Sequence, residues 1–315
     1  MASYREKTPK DRFFFLNRME YPVGPHLTLK FRIMLSTIRS GTNRWLAVFS
    51  SDARHYQLAF LCTFLLTGLF SLKWSLTSYQ IPVTFAIALA TQSIGILLLK
   101  LPVQSLKSAL ISSFSLCLLF RSDDLRIIAL AALISIASKF LFKSQNKHFF
   151  NPANVGICAT ILLTGKGWIS PGQWGSEGIW LFLVGILGFL VVTKANRLEL
   201  ALSFFIGFGG ALFIRMLLWQ NWPLDALTHT FTSGSLLLFT FFMITDPAST
   251  PAHKTVRIIW AFAVGLLAFY LQAYKWVNAA PLWALFIMSP LTPLLDYLFK
   301  GEKWTWKIPT PVRVA

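Results

Sequence analysis

Apolar positions in this chain come in long blocks, not in alternation. From residue 56 onward, ten stretches are apolar at nearly every position: roughly 56–75, 79–99, 105–120, 125–143, 152–164, 178–194, 198–219, 229–245, 255–274 and 280–299. A strand would alternate apolar and polar residues, and a helix on a soluble core would keep one polar face. Blocks apolar all round, most of them near the ~20 residues a helix needs to cross a ~30 Å hydrocarbon layer, predict transmembrane helices. The expected fold is an all-α polytopic membrane protein of about ten spans. Stretches 105–120 and 152–164 are short for a full crossing and end at polar or Pro-containing turns, so they are expected to be broken or tilted helices.

The polar residues between the blocks set a topology. With the N-terminus placed in the cytoplasm, the inner connections hold Lys100 and Lys107, Lys143 and Lys147, Lys194 and Arg197, then Lys254 and Arg257, and the tail adds Lys300, Lys303, Lys307 and Arg313. Each outer connection carries one basic residue near its ends: Lys73, Arg121, Lys166, Arg215 or Lys275. Excess Lys and Arg on one side is the signature of the cytoplasmic face, so both termini are expected to be cytoplasmic, in a bacterial inner membrane. Residues 1–55 carry ten Lys or Arg against four acids, and their "KFRIMLSTIR" puts Phe31, Met34, Leu35 and Ile38 on one helical stripe flanked by Lys30, Arg32 and Arg39. That pattern predicts a short helix lying on an anionic leaflet. The segment is polar and basic where a secretory leader would have a short apolar core, so none is expected.

An internal similarity divides the spans in two. "SSFSLCLLFRSDDLRII" (112–128) resembles "SLLLFTFFMITDP" (235–247) followed by "VRII" (256–259), pairing Ser112 with Ser235, Asp123 with Asp246 and Arg126 with Arg257. The matched stretches are the third and fourth against the eighth and ninth, which gives five helices per half. An odd number inverts the second half relative to the first, an arrangement found in transporters. The expected organisation is a basic N-terminal region at 1–55, a first five-helix repeat at 56–164, an outer loop with the second repeat at 165–299, and a basic tail at 300–315.

Composition agrees with the pattern. Only 13% of residues are charged, where a soluble domain has about a quarter, and 55% are apolar. A formal charge of +17 would suggest nucleic acid in a soluble protein, but topology accounts for it here, and no nucleic-acid motif is present. Cys62, Cys117 and Cys158 lie far apart inside apolar stretches and are expected to pack as small apolar residues, with no metal site indicated.

Two motifs interrupt the apolar rods. "FFNPANVG" (149–156) and "MITDPASTP" (243–251) each set a polar residue before a proline at a membrane boundary. Proline removes a backbone donor and disfavours helix in the preceding residue, so Asn151-Pro152 and Asp246-Pro247 are predicted helix breaks. Broken helices at membrane depth leave backbone groups for a polar ligand. Asn151 and Asp246 either face such a cavity or cap the helices that follow. Lys139, Arg126 and Arg257 lie near span ends and are expected to reach the headgroups, and Asp296 to be an interfacial anchor. Asp123 and Asp124 are expected in a solvated turn, and His229 and His253 in loops. "GWISPGQWGSEG" (167–178) reads as an interfacial aromatic belt or a platform for a flavin or quinone ring.

In "FNPANVG", "WISPGQWG", "SGS" and "FFMITDPASTP" the chain resembles the RnfD and NqrB family of membrane electron-transport subunits. The resemblance implies ten helices in two inverted halves, redox partner subunits, and electron transport tied to sodium or proton movement. It also implies flavin, as FMN joined through its phosphate to the threonine of a Ser-Gly-Ala-Thr motif. Here Ser233-Gly234-Ser235 is followed by Leu236, which has no hydroxyl, so covalent FMN is not expected. FMN or riboflavin held non-covalently is compatible with the motif, since Gly234 admits a ligand to the backbone and the flanking hydroxyls can donate. The basic N-terminal region and "SDARHYQ" are more similar to stand-alone, UnbU-like members. The candidate cofactor or ion-path residues are therefore Ser233, Gly234, Ser235, Thr245 and Asp246, with helix breaks at Asn151, Pro152 and Pro247. The expected function is an integral subunit for electron transport coupled to ion movement. The alternatives are a redox-inactive transporter or channel of the same fold, and a membrane scaffold for a biosynthetic complex. No nucleophile–base pair or phosphate-cradling loop suggests a free-standing enzyme.

Overall fold

A computed structural model describes residues 52–74, 76–145, 147–171 and 178–301. The expected interfacial helix at 30–39, residues 172–177 of the aromatic loop and the tail beyond 301 lie outside the described residues.

Twelve helices follow one another among the described residues, and every predicted stretch falls on a helix or a bent pair. The first half holds α1 (Ala53–Phe70), α2 (Gln80–Leu99), α3 (Leu106–Leu119), α4 (Leu125–Leu141) and α5 (Pro152–Thr164). The second holds α6 (Gly178–Lys194), α7 (Leu198–Phe213), α8 (Leu224–Phe231), α9 (Gly234–Leu238), α10 (Lys254–Lys275), α11 (Ala280–Met288) and α12 (Leu291–Leu298).

Three of these differ from single straight rods for local reasons. α7 runs on into a π-helical turn at Ile214–Trp219, and α9 into another at Phe239–Met243. The rod expected at 229–245 is two pieces bent by 54°, because Ser233 adopts an extended conformation between α8 and α9. The last span bends by 48° at Ser289-Pro290, where proline supplies no amide to the preceding turn. Among the described residues, three helices are long and apolar enough to cross a membrane, at Gln80–Leu99, Leu198–Trp219 and Lys254–Lys275, or five when each bent pair is one span. The outward faces carry large exposed apolar side chains such as Phe70, Leu97, Leu163, Trp219 and Trp276. Water would not tolerate so much apolar surface, but lipid tails do. The chain is an all-α, multi-pass membrane protein.

Helices two apart in the chain, counting the bent pair α8 and α9 as one, pack on one another. α2 packs on α4 and α1 on α3, while α7 packs on α10 and α6 on the π turn that extends α9. Helices in lipid gain little from apolar burial and rely on close approach at small residues. At the α7–α10 contact a Cβ on Gly265 would lie 2.7 Å from the Phe204 carbonyl, and at α4–α5 one on Gly156 would lie 2.6 Å from that of Ala131. Near the α7–α10 contact Phe204 stacks on Phe208 at 5.5 Å and meets Phe239, of the turn beyond α9, at 4.9 Å. Cys117 and Cys158 are buried in this core.

Two short antiparallel ladders pin the connections. Phe120–Arg121 (β1) pairs with Trp168–Ile169 (β4), and Lys143–Ser144 (β2) with Lys147–His148 (β3). The first ladder ties the end of α3 to the connection beyond α5. Pro171, two residues past β4, accepts hydrogen bonds from Ser233 and Ser235 at the start of α9. At the opposite end, Ser108 and Ser112 in the first two turns of α3 share a cavity with Asp246, beyond the end of α9. The two short helices therefore run in opposite directions.

Candidate functional site

Five residues proposed from sequence as one cofactor or ion-path group fall at two ends of one rod. Ser233, Gly234 and Ser235 stand at the start of α9, Thr245 and Asp246 beyond its π-helical end. Gly234–Met243 is ten residues, about 15 Å of helix. Two cavities result, one at each end.

At the Asp246 end the two predicted breaks meet. Asn151 caps α5, its Oδ1 accepting from the Asn154 amide at 3.2 Å, with Pro152 in the first turn where its missing N–H costs nothing. Its Nδ2 donates to the Met243 carbonyl at 3.4 Å, so one amide side chain starts α5 and closes the end of the α9 rod. Thr245 Oγ1 donates to the Phe241 carbonyl at 2.7 Å. The Asp246 carboxylate accepts from the Ala248 amide at 3.1 Å, just past Pro247, and its other oxygen lies 3.8 Å from His148 Nε2. Burial alone would raise that carboxyl, but His148, the Ala248 amide and the Ser249 hydroxyl outweigh it and hold it below the usual carboxylate range. A cavity of about 80 Å³ lies between these groups, bordered also by Ser112, Ser115 and Arg54.

Several further charges are buried or part-buried, each beside an opposite charge or a neutral acceptor. Lys147 contacts Asp296 at 2.8 Å and donates to the Thr250 carbonyl, while Asp296 accepts the Ala252 amide at 2.7 Å. Arg257 donates to Glu199 at 2.6 Å, with Arg197 at 3.9 Å from the same carboxylate. Lys139 donates to Gln92 Oε1 at 2.6 Å. Sequence reasoning sent Lys139 and Arg257 to the headgroups and Asp296 to the interface. Lys139 and Arg257 are instead buried, while Asp296 ties the last helix to the 147–148 strand through Lys147. Only Arg126 of the three basic residues is exposed. His253 lies against the Phe299 ring, and His229 is exposed beside Asp225. Pattern reading passed over His148 and Gln92. The adjacent polar pair Lys147-His148 just ahead of the Asn-Pro break was the available signal.

At the other end Ser233 Oγ donates to the Pro171 carbonyl at 3.1 Å and lies 3.0 Å from Ser235 Oγ. Ser235 donates its backbone amide to the same carbonyl at 2.9 Å. Ser233, Ser235 and Leu236 line a cavity of about 720 Å³, with Trp168, Thr230, Gln272, Asn278 and Trp283 on its other walls. That volume lies in the range of cofactor pockets, and an aromatic lining with a few polar groups is their usual chemistry. Leu236 presents only methyl groups where the resemblance implies an attachment hydroxyl.

Residues 162–304 match the model of the NQR2, RnfD, RnfE family. The D-type component of the ion-translocating oxidoreductase complex of Yersinia pestis is 29% identical over 136 residues, 43% of this chain and 36% of the relative. The component of the same name from Pectobacterium atrosepticum is 29% identical over 145 residues, 45% of this chain and 38% of the relative. That from Stutzerimonas stutzeri is 37% identical over a shorter 65 residues, 21% of this chain and 18% of the relative. The chain thus spans well under half the length of the curated relatives it matches. The matched segment takes in the Ser233–Ser235 turn, the Thr245–Pro247 break and every helix from α6 to α12, and over that segment the chain is similar to the NQR2, RnfD, RnfE family.

Proposed function

We propose that this protein is an RnfD-type integral membrane subunit that takes part in electron transport coupled to sodium or proton movement, with non-covalently held flavin at the Ser233 end. The observation that carries the reading is the pair of cavities at opposite ends of the α9 rod, inside the segment that matches the family. One is large, aromatic and polar-edged, and the other is small and bordered by a carboxylate and hydroxyls. The relatives are named as parts of an ion-translocating oxidoreductase complex, which supports partner subunits for this chain.

Opposite directions of α3 and α9, and the repeated packing of α1 to α4 by α6 to α10, support two inverted halves of five spans each, counting each bent pair as one. The excess of Lys and Arg in alternate connections supports cytoplasmic termini in an inner membrane.

The residues at the larger cavity fit a flavin held without a bond. Trp168 and Trp283 offer ring faces, and Thr230, Gln272 and Asn278 offer hydrogen bonds to a polar heterocycle. A bound flavin would supply one- or two-electron chemistry. Ser235 retains lone pairs for a ligand while its backbone is held by Pro171. Protein extracted in mild detergent should absorb in the blue and lose that colour on denaturation and gel filtration. A colourless preparation that takes up neither FMN nor riboflavin refutes the flavin part.

A second reading, a redox-inactive transporter, draws on the 80 Å³ cavity, where Ser112, Ser115, Thr245 and Asp246 offer oxygens for a cation. Proton or sodium flux into liposomes that is lost in Asp246→Asn and needs no electron donor would favour it over the first.

A further inference from the structure

Beside the large cavity lies a smaller one of about 330 Å³ that the proposed function does not use. Its walls are Lys73, Trp74, Arg121, Trp168, Ser170 and Pro171, and it shares Trp168 and Pro171 with the larger space. The β1–β4 ladder fixes the geometry, setting Arg121 opposite Trp168. Arg121 is only 8% exposed. One of its terminal nitrogens donates to the Cys117 and Phe120 carbonyls, at 2.6 and 2.8 Å, and its guanidinium carbon sits 5.9 Å from the Trp74 ring. Its Nε and second terminal nitrogen make no hydrogen bond among the described residues. Nor does any carboxylate there lie within 4 Å of Arg121 or Lys73, and the nearby Asp124 faces Lys166 at 3.8 Å.

A guanidinium withdrawn from water is expected to have an anionic partner. Burial pushes Arg121 down to about 10, a cost that an anion in the cavity would reverse. Lys73 stands on the facing wall, on a residue held at φ 48°, a backbone conformation uncommon for a side chain of this size. Two cations, one with two free donors in fork geometry, make a receptor for a tetrahedral oxyanion.

We propose that the cavity between Lys73 and Arg121 binds a phosphate group. Arg121 supplies a fixed bidentate face, and Lys73 a mobile point charge. A phosphate here could belong to a phosphorylated flavin whose rings occupy the adjoining cavity, or to a phospholipid headgroup. The flavin source rests on the function proposed above, whereas the phosphate site does not.

The test uses the full chain in nanodiscs of zwitterionic lipid, with and without phosphatidylglycerol. FMN and riboflavin are titrated by flavin fluorescence, inorganic phosphate is added as competitor, and retained lipid is counted by native mass spectrometry. Arg121 also closes the end of α3, so Lys73→Gln is the primary variant and Arg121→Lys the second. One charge-assisted hydrogen bond corresponds to about tenfold or more in affinity. FMN should therefore bind at least ~tenfold more tightly than riboflavin, phosphate should weaken FMN alone, and Lys73→Gln should erase the preference. Equal flavin affinities together with phosphatidylglycerol retention lost in Lys73→Gln would assign the site to a headgroup. No flavin binding, but a phosphate-dependent rise in melting temperature absent from Lys73→Gln, would keep the site and remove the flavin reading. Equal affinities with no response to phosphate, lipid or either variant would overturn the site and leave the flavin reading standing.

Discussion

Lys139 offers a sharp test of how charge is held inside this fold. It occupies the last turn of α4, is 7% exposed, and its ammonium has one acceptor, Gln92 Oε1 on α2, at 2.6 Å. Gln92 is itself oriented by donating to Ser105 Oγ at 3.2 Å. No carboxylate lies within 4 Å of Lys139 among the described residues, although the field of Asp246 reaches it. Two substitutions should then behave asymmetrically. Lys139→Met removes the charge and keeps an unbranched chain of similar volume, so the desolvation cost disappears with the hydrogen bond. The expected result is within about 2 kcal/mol of wild type, because the relieved desolvation cost is set against a Gln92 Oε1 left buried without its donor. Gln92→Leu instead strips a buried ammonium of its acceptor and should cost about 3–5 kcal/mol. The double variant should recover most of that loss, because the stranded charge has gone, and the coupling between the two sites should exceed ~1 kcal/mol. Chemical unfolding in mixed micelles, followed by tryptophan fluorescence, measures all four proteins. A Lys139→Met variant that loses more than ~2 kcal/mol while Gln92→Leu stays within ~0.5 would refute the argument. If Lys139→Met is stable but idle in electron transfer or ion flux, the lysine is kept for function.

Asn151→Ala removes the cap of α5 and leaves the Met243 carbonyl without its side-chain donor. The expected destabilisation is about 2–4 kcal/mol in the same unfolding assay, the sum of a lost cap and a weakened buried acceptor, and Asn151→Asp should restore only the cap. Asp52 gives a pH test. Burial alone would raise its carboxyl, but Arg54 and Lys107 outweigh burial and hold it at about 2, against 3.8 for the free group. A depressed carboxyl stabilises the fold above the unfolded value, and that contribution fades as pH falls from about 4 through about 2. It amounts to at most about 2 kcal/mol, and melting temperatures of Asp52→Asn should lack that part of the acid-side slope.

The apolar blocks made the helices legible because a lipid-facing rod must be apolar on every side, and that requirement is written residue by residue. The third and fifth stretches were readable as short for the same reason, since lipid does not hide a missing turn. Pairings across the fold were not readable. Lys139 and Arg257 look like span-end residues that reach water, and nothing local to them reveals Gln92, 47 positions away, or Glu199, 58 away. Ser233 and Asp246 stand at the two polar ends of one apolar stretch, so their separation follows from its length. That separation along a helical rod puts them in different cavities. The 54° bend at Ser233 was not readable, because the Pro171 carbonyl that accepts from Ser233 and Ser235 lies 62 residues away.

The two short helices explain why polar groups gather where they do. α3 has 14 residues, about 21 Å, and the α9 rod is shorter still, so both end within reach of the ~30 Å hydrocarbon layer. A helix end there exposes carbonyls that lipid cannot satisfy, and each must find a donor from the protein. At the end of α3 the Leu119 carbonyl takes the Ser170 amide, Cys117 takes Arg121, and Phe120 takes both Arg121 and Gln80. At the end of the α9 rod, Phe241 takes Thr245, and Met243 takes both Asn151 and the Asp246 amide. Ser170, Gln80 and Asn151 come from the connection after α5, from α2 and from the cap of α5, while Arg121, Thr245 and Asp246 follow directly on the helix ends they close. These closures also build the cavities, because a side chain recruited to satisfy a carbonyl brings its remaining polar atoms with it. Arg121 contributes donors to the 330 Å³ cavity in this way, and the Thr245-Asp246 turn contributes a carboxylate to the cavity at the opposite end. Polar function at membrane depth therefore follows from interrupted helices, and substitutions that lengthened α3 or α9 into full spans would remove the sites together with the ends.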